Sequence, residues 1–425
     1  MTGTTSADEL APLRRLGGPL LFVTLGYFVD VFDLLLFAVV RVQSLRDLGM
    51  GSHTVEVGAM LQNAQLIGLM VGGLVWGSLG DRRGRRTALY GSILLYSLAN
   101  LANAAVTSVP QYAVLRFIAG FGLAGELGAG LTLVGEMVDR RARGTATTLV
   151  ATLGTTGAMA AAIVGQLVPW RWAYAIGGVL GLVLLALRVR VHDSPMFARA
   201  HATSARPGDF RRLVDSRDRA GRYVRTILIG VPIWFTVGVL ITFAPEFARL
   251  LGVTGEILAG TTILVFYTGG TLGDLACGLL SQALRSRRRA VAAFYALSVP
   301  AVAVYLLGVA STPAAFYVVC AWLGFGAGFW AVMVTMAVEQ FGTDMRATVA
   351  TSVPTFVRAS AVPMTLAFLA LRPALGIAAA AGLIGALAFA AACWALWRLP
   401  ETYGRDLDFV EDDVAVPSVI TRRSA

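Results

Sequence analysis

Apolar stretches of about 20 residues recur along the chain, each closed by a polar or charged turn. They cover 19–40, 57–80, 87–107, 111–137, 145–168 and 171–189, then resume at 224–246, 257–282, 290–309, 314–338, 347–370 and 374–398. A helix of that length crosses roughly 30 Å of hydrocarbon. Weakly alternating segments of about ten residues, the mark of a membrane β-barrel, are not evident. The pattern predicts an all-α membrane protein of twelve transmembrane helices. It divides into a six-helix bundle over 1–189, a cytoplasmic linker over 190–223, a second six-helix bundle over 224–399 and a polar tail over 400–425.

Composition agrees. Apolar residues make up 56% of the chain and charged residues 14%, against about 25% charged in a soluble domain. The polar start, "MTGTTSADELAPLRRLGGPL", shows no cleavage site of signal-peptide type, so helix 1 is expected to be retained. Cys277, Cys320 and Cys393 lie in or beside apolar runs, which argues against disulfides. His53, His192 and His201 are too scattered to share a metal. No metal and no cofactor is expected.

The net charge of +10 comes entirely from arginine, because the chain has no lysine. With the N-terminus placed in the cytoplasm, 28 of the 35 arginines fall on inward segments, tails and helix ends. Five fall outward: Arg41, Arg46, Arg171, Arg249 and Arg372. Arg116 and Arg358 sit inside spans. This bias predicts both termini in the cytoplasm of a bacterial inner membrane. It makes anionic lipid, not nucleic acid, the partner of the surface arginines.

The halves echo one another. "GFG" at 120–122 returns at 324–326, and the pair Glu136/Arg143 returns as Glu339/Arg346, at offsets of 203–204 residues. Six helices per half give both halves the same orientation. That is the parallel-repeat plan of a transporter with a central site and rocking halves. A monomer suffices for it. The two Glu/Arg pairs are assigned to an inner gate.

The turn after helix 2 reads "GSLGDRRGRR" at 77–86. Gly77 and Gly80 could allow close helix approach, and Gly84 a tight backbone. Asp81 could cap a helix or pair with an arginine. This turn resembles the loop between helices 2 and 3 of the major facilitator superfamily. The resemblance implies that Gly77, Asp81, Arg82, Gly84, Arg85 and Arg86 latch the inward side of the two halves. Its counterpart "GLLSQALRSRRR" at 278–289 has Gln282 where the acid would stand. "FVDVFDLLLF", "RFIAGFGLAGELGAG", "GEMVDRRARG", "VPWRW", "DSPMF" and the exit "LPETYGRDL" resemble the metabolite:proton symporters. Similar pieces occur in aromatic-acid:proton symporters and sugar porters. Asp30 stands where the metabolite symporters would have glutamate.

Ionisable groups at bilayer depth are costly and mark function. Asp30 and Asp33 share roughly one face of helix 1, as Arg116 and Glu126 do on helix 4. At 1.5 Å per residue, Asp33 and Arg116 lie about 10 and 8 Å below the outer end, and Asp30 and Glu126 each about 16 Å from the inner end. The expected pairs are therefore Asp33 with Arg116 and Asp30 with Glu126, both as proton-coupling groups. The alternatives are a permanent salt bridge for the first pair and a hydrogen bond across glycine-rich helix 4 for Glu126. Arg358 either binds a substrate carboxylate or neutralises Asp274. Trp330, at the place in helix 10 that Glu126 holds in helix 4, and Trp234, beside Pro232 in helix 7, suit a planar or apolar substrate part. Packing toward core or lipid is the alternative for each.

No phosphate-binding loop and no nucleophile–base constellation is present, so an enzyme or a nucleotide-driven pump is not expected. The segment "VPIWFTVGVLITF" offers few groups for a sugar. The expected function is proton-coupled symport of a small carboxylate or zwitterion. The alternative is a proton-driven antiporter that exports drugs or metabolites.

Overall fold

The computed structural model describes residues 17–83, 85–137, 143–188, 213, 215–342 and 345–405, with side chains from residue 23 onward except at 78, 80–86, 126–149, 151–152 and 347. Helices run through the places of all twelve predicted spans. Spans 1–6 are Gly17–Asp47, Thr54–Arg83, Arg85–Asn103, Val109–Met137, Arg143–Leu167 and Trp170–Arg188. Spans 8, 9 and 12 are Ala259–Ala283, Arg287–Leu306 and Ile377–Arg398. Among the described residues, nine helical stretches are long and apolar enough to cross a membrane on their own composition.

Spans 7, 10 and 11 are broken where the apolar pattern predicts continuous helices. Span 7 starts at Arg217, capped by Ser216, within what was read as linker. It runs as Arg217–Phe235, widens into a π-helix over Thr236–Ile241, and ends in Ala244–Leu250. Proline at 232 removes one backbone donor, and the chain rearranges just after it. Span 10 is Pro313–Ala327 and Trp330–Glu339, parted at Gly328 and Phe329. Span 11 is Arg346–Ala359 and Ala361–Leu375, parted at Ser360.

Lipid gives helices little hydrophobic reason to associate, so small residues that let backbones touch decide the packing. The repeated "GFG" does this in both halves. A Cβ on Gly120 would lie 1.9 Å from the Gln65 carbonyl oxygen of span 2, and one on Gly324 would lie 1.9 Å from the Phe266 carbonyl oxygen of span 8. The second glycines face the next neighbour: a Cβ on Gly122 would press on Tyr96 of span 3, and one on Gly326 on Ser298 of span 9. The sequence echo is thus a packing element used twice. Gly77, read as a close-approach residue, has no described atom within 4 Å of where its Cβ would sit. The contact between spans 2 and 4 is made instead at Gly68, Gly72 and Gly120, along their middles.

Candidate substrate and proton site

A cavity lined by residues of both halves lies between them. Tyr27 comes from span 1, Thr155 from span 5 and Trp234 from span 7. Tyr267 and Asp274 come from span 8, Trp330 from span 10 and Arg358 from span 11. Arg358, Trp330 and Trp234, the three candidate substrate residues, all line it.

Arg358 is 2% exposed and Asp30 0%. Both guanidinium Nη atoms donate to Asp30 Oδ2 at 3.3 Å. The partner expected for Asp30 was Glu126, whose side chain lies outside the described residues. Among the described residues, Asp30 is held by Arg358. The suggestion that Arg358 neutralises Asp274 is replaced: its ion-pair partner is Asp30. The Asp30–Arg358 pair is long for a charge-assisted bond, where about 2.7–2.9 Å is usual. Two donors crowd one oxygen, and Asp30 Oδ1 accepts no hydrogen bond among the described residues. The guanidinium also lies 5.8 Å over the Trp330 ring.

Asp33 turns the other way, into the first half. A Cβ on Gly177 of span 6 would meet its Oδ1 at 2.5 Å. Arg116 Nη2 donates to Asn100 Oδ1 at 2.7 Å, and its guanidinium sits 4.6 Å over Tyr174. No hydrogen bond joins Asp33 to Arg116 among the described residues. Tyr174 of span 6 feels the charge of both and shares a 2.6 Å hydrogen bond with Tyr112 of span 4.

The end bearing the span 1–2 and 7–8 turns is tied shut by contacts that sequence reading missed. Arg41, read as a topology marker, is fully buried. Its two Nη atoms donate to Glu246 Oε1 and Oε2 at 2.8 and 2.7 Å. They also donate to the carbonyls of Thr54 and Thr242. Gln62 donates to the Gly238 carbonyl at 3.1 Å, and Thr365 to Asn63 at 2.7 Å. An acid within "FAPEFARL" and an arginine at the matching end of span 1 were the available signal.

At the opposite end, the side chains of Asp81, Arg82, Arg85, Arg86, Glu136 and Arg143 lie outside the described residues, as does Gly84 altogether. In the second half, Glu339 pairs with Arg287 at 3.3 Å. Arg346 donates to the carbonyls of Val338 and Phe341. The acid missing at Gln282 is supplied by Glu401 of the exit motif. Glu401 accepts from the Ser286 hydroxyl and from the N–H groups of Arg287 and Arg288 at 2.9 and 3.3 Å. Tyr403, two residues on, donates to Gln282 Oε1 at 3.0 Å. Burial works against charge on Glu401. The hydrogen bonds from Ser286 and from the backbone of Tyr403, Arg287 and Thr402 nevertheless hold its carboxyl below the usual range.

The sequence model described as Major Facilitator Superfamily matches residues 23–364. This chain belongs to the major facilitator superfamily. It is a multi-pass membrane transporter and not an enzyme. It is 25% identical over 377 residues to the niacin transporter NiaP of Acinetobacter baylyi, covering 80% of this chain and 84% of that one. It is 31% identical over 230 residues to the 3-(3-hydroxy-phenyl)propionate transporter of Escherichia coli, covering 52% and 55%. A crystal structure of a D-xylose–proton symporter superposes with a TM-score of 0.70 at 16% identity, covering 92% of this chain and 100% of that one, a likeness of fold. Two bundles around a central charged cavity are the form the superfamily takes in this chain.

Proposed function

We propose that this transporter carries a small, ring-bearing carboxylate together with a proton, by alternating access through the cavity at Arg358. The observation that carries the reading is the loose, buried pair of Arg358 and Asp30, one residue from each half. A substrate carboxylate offers two oxygens to the guanidinium fork, where Asp30 presents one. Once displaced, Asp30 is a buried carboxylate without its cation, and protonation is the low-cost way to keep it buried. Substrate and proton therefore enter together. Aromatic walls from Tyr27, Trp234, Tyr267 and Trp330 suit a flat ring. Niacin and 3-(3-hydroxyphenyl)propionate, named for two relatives, each join a ring to a carboxylate.

On this reading the arginine bias supports the Arg41–Glu246 end as the outer one, which makes the conformation one closed to the outside. Purified protein in sealed vesicles provides the test. Niacin and 3-(3-hydroxyphenyl)propionate should accumulate when the exterior is made acidic. Accumulation only when the interior is acidic would instead select the proton-driven exporter.

A further inference from the structure

The Asp30–Arg358 pair leaves Asp274 without the cation assigned to it from sequence. Asp274 is 7% exposed, lines the cavity from span 8, and has no ion-pair partner among the described residues. Its Oδ1 accepts the N–H of Ala331 at 3.1 Å. That N–H is free to be donated because span 10 is broken just before it. In an unbroken helix the Ala331 N–H would bond the carbonyl of Ala327, four residues back. Here the Ala327 carbonyl accepts from Phe329 instead, at 2.9 Å. Gly328 allows the break: a Cβ there would lie 2.5 Å from the backbone of Gly273 and Asp274.

One donor thus has two acceptors that exclude each other. We infer that Asp274 is a second proton-binding carboxylate, and that its proton controls the break in span 10. When ionised, Asp274 holds the positive end of helix Trp330–Glu339 and keeps the break open. When protonated, it is a poor acceptor, and Ala331 returns to the Ala327 carbonyl. Trp330, directly before Ala331, shifts with the helix start, so the proton on Asp274 reaches the cavity wall beneath Arg358.

The groups facing Asp274 are consistent with a separate titration. Tyr27 of span 1 lies within electrostatic reach of Asp30, Arg358 and Asp274 alike. Tyr267 and Cys277 share its own span, and Arg287, at the start of span 9, acts on that Cys277. Span 5 presents Thr155, and span 10 backbone N–H groups and Trp330.

This inference adds a second proton to the symport reading, but its first test needs no substrate. Infrared difference spectra of the reconstituted protein over a pH titration should show a carboxylic-acid C=O stretch. The band should vanish in Asp274→Asn, shift in Asp274→Glu and survive in Asp30→Asn. No band lost in Asp274→Asn would overturn the assignment, whatever the protein transports. The second test is the proton-to-substrate ratio from reversal potentials, with niacin as probe. It should fall by one in Asp274→Asn, and an unchanged ratio would also overturn the inference. Absence of proton coupling in the unaltered protein would defeat the symport reading alone, leaving the infrared result to decide the role of Asp274. If Asp274→Asn does not fold, the shifted band of Asp274→Glu carries the first test.

Discussion

Arg41 and Glu246 meet fork to fork, at 2.8 and 2.7 Å, between spans 1 and 7 at the end that bears the span 1–2 turn. Eight residues earlier on span 7, Gln62 of span 2 holds the Gly238 carbonyl. Earlier on span 1, Arg358 grips a single oxygen of Asp30 at 3.3 Å. Among the described residues, the ion pairs Arg41–Glu246 and Arg372–Glu56 thus join the halves at one end, and the loose pair Asp30–Arg358 joins them inside the cavity. The geometry separates a latch from an exchangeable site.

Removing one partner of a buried pair costs about 3–5 kcal/mol. Glu246→Gln should therefore shift the protein toward a state open at this end. Spin labels at Ser52→Cys and Glu256→Cys, both on exposed turns, would report it in a background without native cysteines. A longer distance population should grow in the variant. An identical distribution would show that the pair does not hold this end closed.

Gly324 has no room for a side chain. Gly324→Val should abolish the folded protein or cost several kcal/mol, because the Phe266 carbonyl cannot move aside without displacing span 8. Gly278→Ala, with nothing within 4 Å, serves as a control and should fold normally. Size-exclusion profiles and thermal unfolding in detergent would read both. Equal stability of the two would refute the packing account.

The spans were legible because bilayer thickness fixes their length. Their breaks were legible only in part, from the prolines of spans 7 and 11. Spans 7, 10 and 11 are apolar on both sides of each break, and the partners that stabilise it, such as Asp274 for Ala331, come from other spans. Rise per residue gives height along a helix but not rotation about it, and nothing in the sequence showed that Asp30 of span 1 would meet Arg358 of span 11. Ending span 1 at 40 left Arg41 outside the helix, so its burial was missed; the helix continues to Asp47.

Arg358→Lys keeps the charge but removes the fork. Niacin affinity should drop at least tenfold, about 1.4 kcal/mol, with little loss of thermal stability. Binding of niacin to purified protein by calorimetry would check it. Unaltered affinity would remove Arg358 from the substrate site.

Glu401 caps span 9, so Glu401→Ala should cost about 1 kcal/mol. Its carboxyl is held below the usual range, so its contribution is present above the unfolded value of about 4.3 and is lost as pH falls through the lower folded value. Thermal unfolding across that acidic window should show a smaller decline in Glu401→Ala than in the unaltered protein. Parallel declines would count against the cap.

The most direct test is proton-driven niacin accumulation by Asp30→Asn in sealed vesicles, measured beside niacin exchange at equal pH. The account predicts that exchange persists, because Arg358 still receives the substrate, while accumulation against a gradient is lost. Accumulation equal to that of the unaltered protein would contradict the claim that Asp30 carries a proton in exchange for Arg358.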